Sequence, residues 1–209
     1  MPSDRDPYCH PGTDVLFNKL GITDAGELAR FERTMTELRA AAALARIEHR
    51  PKLDQAALQE AHRILFGDVY AWAGELRTVE IAKAGTPFAP VHALPTYADN
   101  QILPLFERQA AAAKDDAEFA AALAHCWGEL NVAHPFREGN GRATQVFVTA
   151  LARRHGRDID WSLITREREI EAAKAAFAQD YEPYAALLRD ALRTRTSEPH
   201  RTPPRRREP

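Results

Sequence analysis

Apolar residues recur mostly at helical spacing along this chain. Over residues 23–47, Leu28, Phe31, Met35, Leu38 and Leu44 recur at helical spacing and predict a helix, opened by a capping box of Asp24 with Glu27. Pro51 ends that run and Asp54 caps the next. Leu58, Ala61, Leu65 and Phe66 then mark a second buried stripe that stops near Gly67. Further helices are predicted over 95–114 and 116–133, from the end of a 134–141 loop to about His155, and over 166–179 and 183–193. Gly156 is placed to end the helix that follows the loop.

Between 74 and 90 the period changes from helical to two. Thr78-Val79-Glu80-Ile81-Ala82 alternates, and Ala84-Gly85-Thr86 offers a turn before Phe88, so a short β-hairpin is expected there and nowhere else. From Thr194 onward there are four Pro and five Arg without apolar periodicity, which predicts a disordered tail. The expected organisation is one domain over 1–193 and an Arg/Pro-rich tail over 194–209. The fold class is all-α, a helical bundle with one small hairpin.

Length and charge narrow the function. A chain of 209 residues with 44% apolar composition builds one core rather than two. The net charge of -2 provides no general field for nucleic acid or an anionic membrane. The tail holds five Arg against two Glu, which leaves 23 basic and 28 acidic groups before it, and it reads as a solvated segment rather than a nucleic-acid arm. Cys9 and Cys126 lack partners at metal-ligand spacing and fit a reducing cytoplasm. No signal peptide or long apolar span is visible, so a cytoplasmic protein without membrane contact is expected. The eight histidines form no paired zinc motif, and Trp72 reads as packing.

The chemistry is concentrated in His134-Pro135-Phe136-Arg137-Glu138-Gly139-Asn140-Gly141-Arg142, between two predicted helices. Pro135 stops the first helix at His134 and leaves the imidazole facing the loop. Gly139, Asn140 and Gly141 tolerate positive φ, so successive N–H groups can curl into an anion nest beside the positive end of the next helix, with Arg142 adding charge. Glu138 is the loop's lone carboxylate. That suits Mg²⁺, which draws its other oxygens from water and substrate phosphates. His134 is then the general base, and Phe136 is expected to anchor the loop on the core. The reaction class implied is in-line displacement at phosphorus.

This loop resembles the signature HxFx(D/E)GNGRxxR of the Fic family. YCHPGTDVLFNKLGI, DVYAWAGELRTVEIAKAG and Gly128-Glu129-Leu130-Asn131 are similar to its toxin-like branch, so that the resemblance covers roughly 7–193. It implies transfer of AMP from ATP to a hydroxyl of a target protein. His134 would act as base, Glu138 as Mg²⁺ ligand, and Gly139, Asn140, Gly141, Arg142 and position 145 as the nucleotide site. It also implies that Thr78, Val79, Glu80, Ile81, Ala82 and Lys83 form a flap that docks an extended stretch of the target. Bacterial topoisomerase subunits are the first target candidates on this analogy.

Two alternatives stay open. Phosphate transfer belongs to relatives with Lys in place of the second loop glycine, here Gly141. A weakened, non-enzymatic binding protein is the other, because Gln145 stands where the pattern has its second arginine. The inhibitory pattern (S/T)xxxE(G/N) is nowhere completed: Glu27 is followed by Leu28, Glu169 by Ile170 and Glu198 by Pro199. A small antitoxin acting in trans is therefore expected.

Overall fold

The computed structural model describes residues 6–83, 85–97 and 103–195. In chain order these form helices α1 (Ala25–Glu48) and α2 (Gln55–Phe66), the short strands β1 (Ala82–Lys83) and β2 (Thr86–Pro87), and helices α3 (Leu94–Tyr97), α4 (Leu103–Ala112), α5 (Asp116–Ala133) and α6 (Asn140–Arg154). Strand β3 (Arg157–Ile159), helices α7 (Arg166–Ala176) and α8 (Glu182–Ala191), and strand β4 (Leu192–Thr194) complete it. The architecture is the predicted all-α one.

Helix boundaries follow their capping chemistry. The Asp24 carboxylate accepts the Glu27 N–H at 2.7 Å, and the Asp54 carboxylate accepts the Ala57 N–H at 2.9 Å. Asp115 does the same for α5 through Glu118, at 2.8 Å. Helices α5 and α6 form the centre: α5 packs on α4, α6, α7 and α8, while α6 packs also on α1 and α2. Their sequences explain it. Helix α5 is rich in buried alanine, which lets neighbouring helices approach closely, and α6 is buried continuously from Val146 to Ala152. Among the described residues no helix is long and apolar enough to cross a membrane.

Three expectations are corrected. The hairpin pairs only Ala82 with Pro87 and Lys83 with Thr86, so that Thr78, Val79 and Glu80 lie outside the ladder. The reason is the Arg77 side chain, whose guanidinium takes the Val79 carbonyl at 2.9 Å and so curls this stretch round itself. A second strand pair was missed in the sequence: β3 and β4 run antiparallel, with Arg157 opposite Thr194 and Ile159 opposite Leu192. Three-residue strands carry too little alternation to be recognised. It follows that the folded unit reaches Arg195, whose N–H donates to the Gly156 carbonyl at 3.0 Å, and that the rest of the expected tail lies outside the described residues. The helix expected over 95–114 is seen as α3 and α4, with 98–102 outside the described residues, as is Ala84 of the predicted hairpin turn.

Gly128 in the middle of α5 is a packing requirement. A Cβ there would stand 2.5 Å from Cδ1 of Tyr181, whose hydroxyl donates to Glu129. Alanine in a helix interior normally gains about 1 kcal/mol over glycine. Here Gly128→Ala should instead destabilise by about 1–3 kcal/mol through overpacking, read as a lower urea midpoint.

Candidate active site

The loop joining α5 to α6 starts in a costly conformation. His134 caps α5 in the left-handed region, at φ 44° and ψ 60°, which for a residue other than glycine costs about 1–3 kcal/mol. Arg77 holds it there. The side chain is fully buried, and its Nε donates to the His134 carbonyl at 2.8 Å. Nη2 donates to the Ala89 carbonyl and, at 3.4 Å, to that of Ala133, while the Arg77 backbone N–H donates to Pro135 at 2.9 Å. A buried guanidinium therefore satisfies the orphan carbonyls at the end of α5 and ties them to both sides of the hairpin.

Inside the loop, Phe136 is buried as expected and stacks on His62 at 4.0 Å between ring centres. The Asn140 amide closes the turn, accepting the Phe136 N–H and donating to the Phe136 carbonyl, both at 2.8 Å. His62 Nδ1 accepts the Gly74 N–H at 2.8 Å, so its proton sits on Nε2, which donates to the Glu138 carbonyl at 2.9 Å. Gly139 has φ 81°, and a Cβ there would collide with the Phe66 ring. Glycine is required on both counts. Gly141, by contrast, lies within α6 with open space around it.

The His134 imidazole stacks on Phe88 at 3.8 Å, and its Nδ1 lies 3.2 Å from the Asn131 carbonyl. A carbonyl only accepts, so Nδ1 carries the proton and Nε2 keeps a lone pair. Burial pushes this histidine's pKa down to about 4, aided by the charges of Lys83 and Arg77 and opposed by the Asn131 carbonyl. The ring is thus neutral at physiological pH, in the tautomer a general base needs.

His134, Glu138, Asn140 and Gly141 line a cavity of about 460 Å³, closed on another side by Ile81, Ala82 and Lys83 and on a third by Arg166, Glu169 and Ile170 of α7. Arg142 and Gln145 do not line it. They face a second cavity between α1 and α6, of about 420 Å³, together with Thr36 and Ala40. Arg142 pairs with the buried Glu32, which also accepts the Tyr70 hydroxyl, and stands 4.6 Å over the Phe66 ring. It still lies 3.6 Å from Glu138. Arg142 and Gln145 thus lie on a different side of α6 from Asn140 and Gly141, with the Arg142 guanidinium bridging from Glu32 on α1 towards Glu138.

Glu138 is half exposed, with Oε1 accepting the Gly139 N–H at 2.8 Å. Among the described residues no cluster of three or more His, Cys, Asp or Glu gathers to cage an ion. A single accessible carboxylate beside an uncapped helix start fits Mg²⁺ that arrives with a phosphate ligand. Arg77, His62, Asn131, Arg166 and Glu169 were not marked by the sequence. His62 and Arg77 act through contacts made across the fold, and α7 brings Arg166 and Glu169 to the cavity; Arg77 and Asn131 stand in the family-like segments without being singled out there.

Comparison with known proteins accounts for this arrangement. Residues 52–152 match the Fic/DOC family. The probable protein adenylyltransferase y4lH of Sinorhizobium fredii is 38% identical over 190 residues, covering 88% of this chain and 95% of that protein. The chain belongs to the Fic/DOC family. Protein adenylyltransferase VbhT of Bartonella schoenbuchensis is 37% identical over 188 residues, 90% of this chain, and this chain spans 39% of its length. Among solved structures, the Fic-type fold is matched by BepC of Bartonella tribocorum with bound AMPPNP, at a TM-score of 0.76 and 26% identity over 90% of this chain and 97% of that one.

Two outcomes are expected for this Fic site. Arg77→Met strands the carbonyls of His134, Val79 and Ala89, which should cost about 3 kcal/mol or more in urea unfolding. His62 and His134, each with a folded pKa of about 4 against 6.5 when free, remain unprotonated while the unfolded chain takes up protons. Their contribution is whole above pH 6.5 and is lost as the pH falls towards 4. The unfolding midpoint should drop over this window, and His62→Phe, though less stable at neutral pH, should drop less.

Proposed function

We propose that this Fic protein is a protein adenylyltransferase, moving AMP from ATP to a hydroxyl side chain of another protein. The observation that carries this is the His134 tautomer: an imidazole with its proton fixed on Nδ1 presents Nε2 to a cavity whose floor is the Glu138–Gly141 turn. The names of the relatives and the AMPPNP held by BepC support the same reading.

In the reaction, the target hydroxyl oxygen attacks the α-phosphorus of ATP. Its proton passes to His134 Nε2, the new O–P bond forms, and the bond to the β-phosphate oxygen breaks, releasing pyrophosphate. Asn131 holds the imidazole in position through Nδ1 as the charge develops. Free N–H groups in the first turn of α6, at Asn140 and Gly141, are oriented to receive phosphate oxygens, as any uncapped helix start is. Glu138 would hold Mg²⁺, which supplies charge neutralisation for the polyphosphate. The short β1–β2 hairpin, with Ile81, Ala82 and Lys83 on the cavity, would pair with an extended target segment and bring its hydroxyl to His134.

Control is assigned to a separate small antitoxin, because no (S/T)xxxE(G/N) helix is completed in the sequence. The proposed target is a protein of the bacterial cytoplasm, with topoisomerase subunits first in line. Gly141, standing where kinase-like relatives have Lys, favours AMP over phosphate transfer.

His134→Ala should abolish transfer while leaving ATP affinity within a few-fold, since the imidazole acts on the hydroxyl and not on the phosphates. Glu138→Ala should shift the magnesium titration to higher concentration. A modified target should gain the mass of an adenylyl group in intact mass spectrometry. A gain of one phosphate, or full-rate transfer by His134→Ala, would refute the assignment.

A further inference from the structure

A threonine inside a helix can satisfy its hydroxyl by donating to the carbonyl four residues back. Thr34 does so to Arg30 at 3.1 Å, and Thr149 to Gln145 at 2.7 Å. Thr144 does not. Among the described residues its hydroxyl has no hydrogen-bond partner, although the residue is only 4% exposed. A buried hydroxyl left without a partner is unfavourable to the fold. Thr144 lines the main cavity, so the missing partner can come from whatever fills it. Other polar groups on that cavity are engaged within the protein: Asp6 holds Arg137 at 2.9 Å through Nε and at 2.8 Å through Nη2, and the Asn131 amide donates to the Ala173 carbonyl at 3.3 Å.

We infer that Thr144 hydrogen-bonds a ribose hydroxyl of the bound nucleotide and so fixes its sugar; the inference rests on the nucleotide reading above. Placement along α6 argues for the sugar. Asn140, Gly141 and Thr144 share the face of α6 that lines this cavity, whereas Arg142 and Gln145 face the other one. Thr144 stands one helical turn, about 5 Å, beyond the N–H groups of Asn140 and Gly141 that would receive phosphate oxygens. In a nucleotide, the group that follows the phosphates is the sugar. The chemistry agrees. A phosphate oxygen only accepts and already has those N–H groups, while two hydroxyls each donate and accept and can satisfy one another.

The test compares Thr144→Val and Thr144→Ser with the parent in the full chain, on a His134→Ala background that prevents turnover. Valine keeps the shape and removes the hydroxyl. Binding of ATP, 2′-deoxy-ATP and 3′-deoxy-ATP is measured by calorimetry with magnesium, and urea unfolding is measured without ligand. Thr144→Val should weaken ATP about fivefold, and the loss should vanish for the deoxynucleotide that lacks the bonded hydroxyl. Thr144→Ser should keep the ATP affinity. Without ligand, Thr144→Val should unfold at a urea midpoint no lower than the parent's, because it removes an unsatisfied group and not a contact. A lower midpoint would reveal a structural partner and overturn the inference. Unchanged ATP affinity in Thr144→Val, or an equal loss for ATP and both deoxynucleotides, overturns it too. A parent protein that binds no ATP refutes the nucleotide reading itself and is distinguished by that.

Discussion

One buried guanidinium organises the site. A helix that ends inside a protein leaves carbonyls that must find donors. At the end of α5 the donors come from Arg77, which spends its N–H groups on Ala133, His134, Val79 and Ala89. The same contacts fix the left-handed turn at His134 and the base of the hairpin. The His134 imidazole, proposed as the base, and the hairpin beside it are thus set by one side chain, and their relative position does not depend on the loop alone.

The loop itself is braced from beneath rather than by its own glycines. His62 and Phe136 stack, the Asn140 amide closes the turn, and the neutral His62 links the Gly74 N–H to the Glu138 carbonyl. What remains for a ligand is the set of groups this bracing does not use: the lone pair on His134 Nε2, part of the Glu138 carboxylate and the first N–H groups of α6. A preorganised site of this kind needs little rearrangement as charge develops.

Much of this was legible in the residues. Helix starts at Asp24 and Asp54, the apolar stripe of α2, and the anchoring of Phe136 are local effects of periodicity and capping, and these survive into the fold; the stripe of α1 holds only in part, because Leu38 is exposed and the buried face runs through Leu28, Glu32, Thr36, Ala43 and Ile47. The HPFREGNGR run carried the family, and His134 and Glu138 within it both line the main cavity. What could not be read depends on contacts between distant segments. Arg77 looks like any other arginine until α5 ends beside it. The commitment of Arg142 follows from Glu32, 110 positions away. The hairpin was placed correctly but too long, because alternation at 78–82 says nothing of a guanidinium that curls half of it. The β3–β4 pair was too short to signal.

The tie between Arg137 and Asp6 spans 131 positions. Arg137 lines the main cavity, so the segment before α1 is a structural part of the cavity's rim, and a change at Asp6 would alter the charge of that rim without touching any residue of the loop.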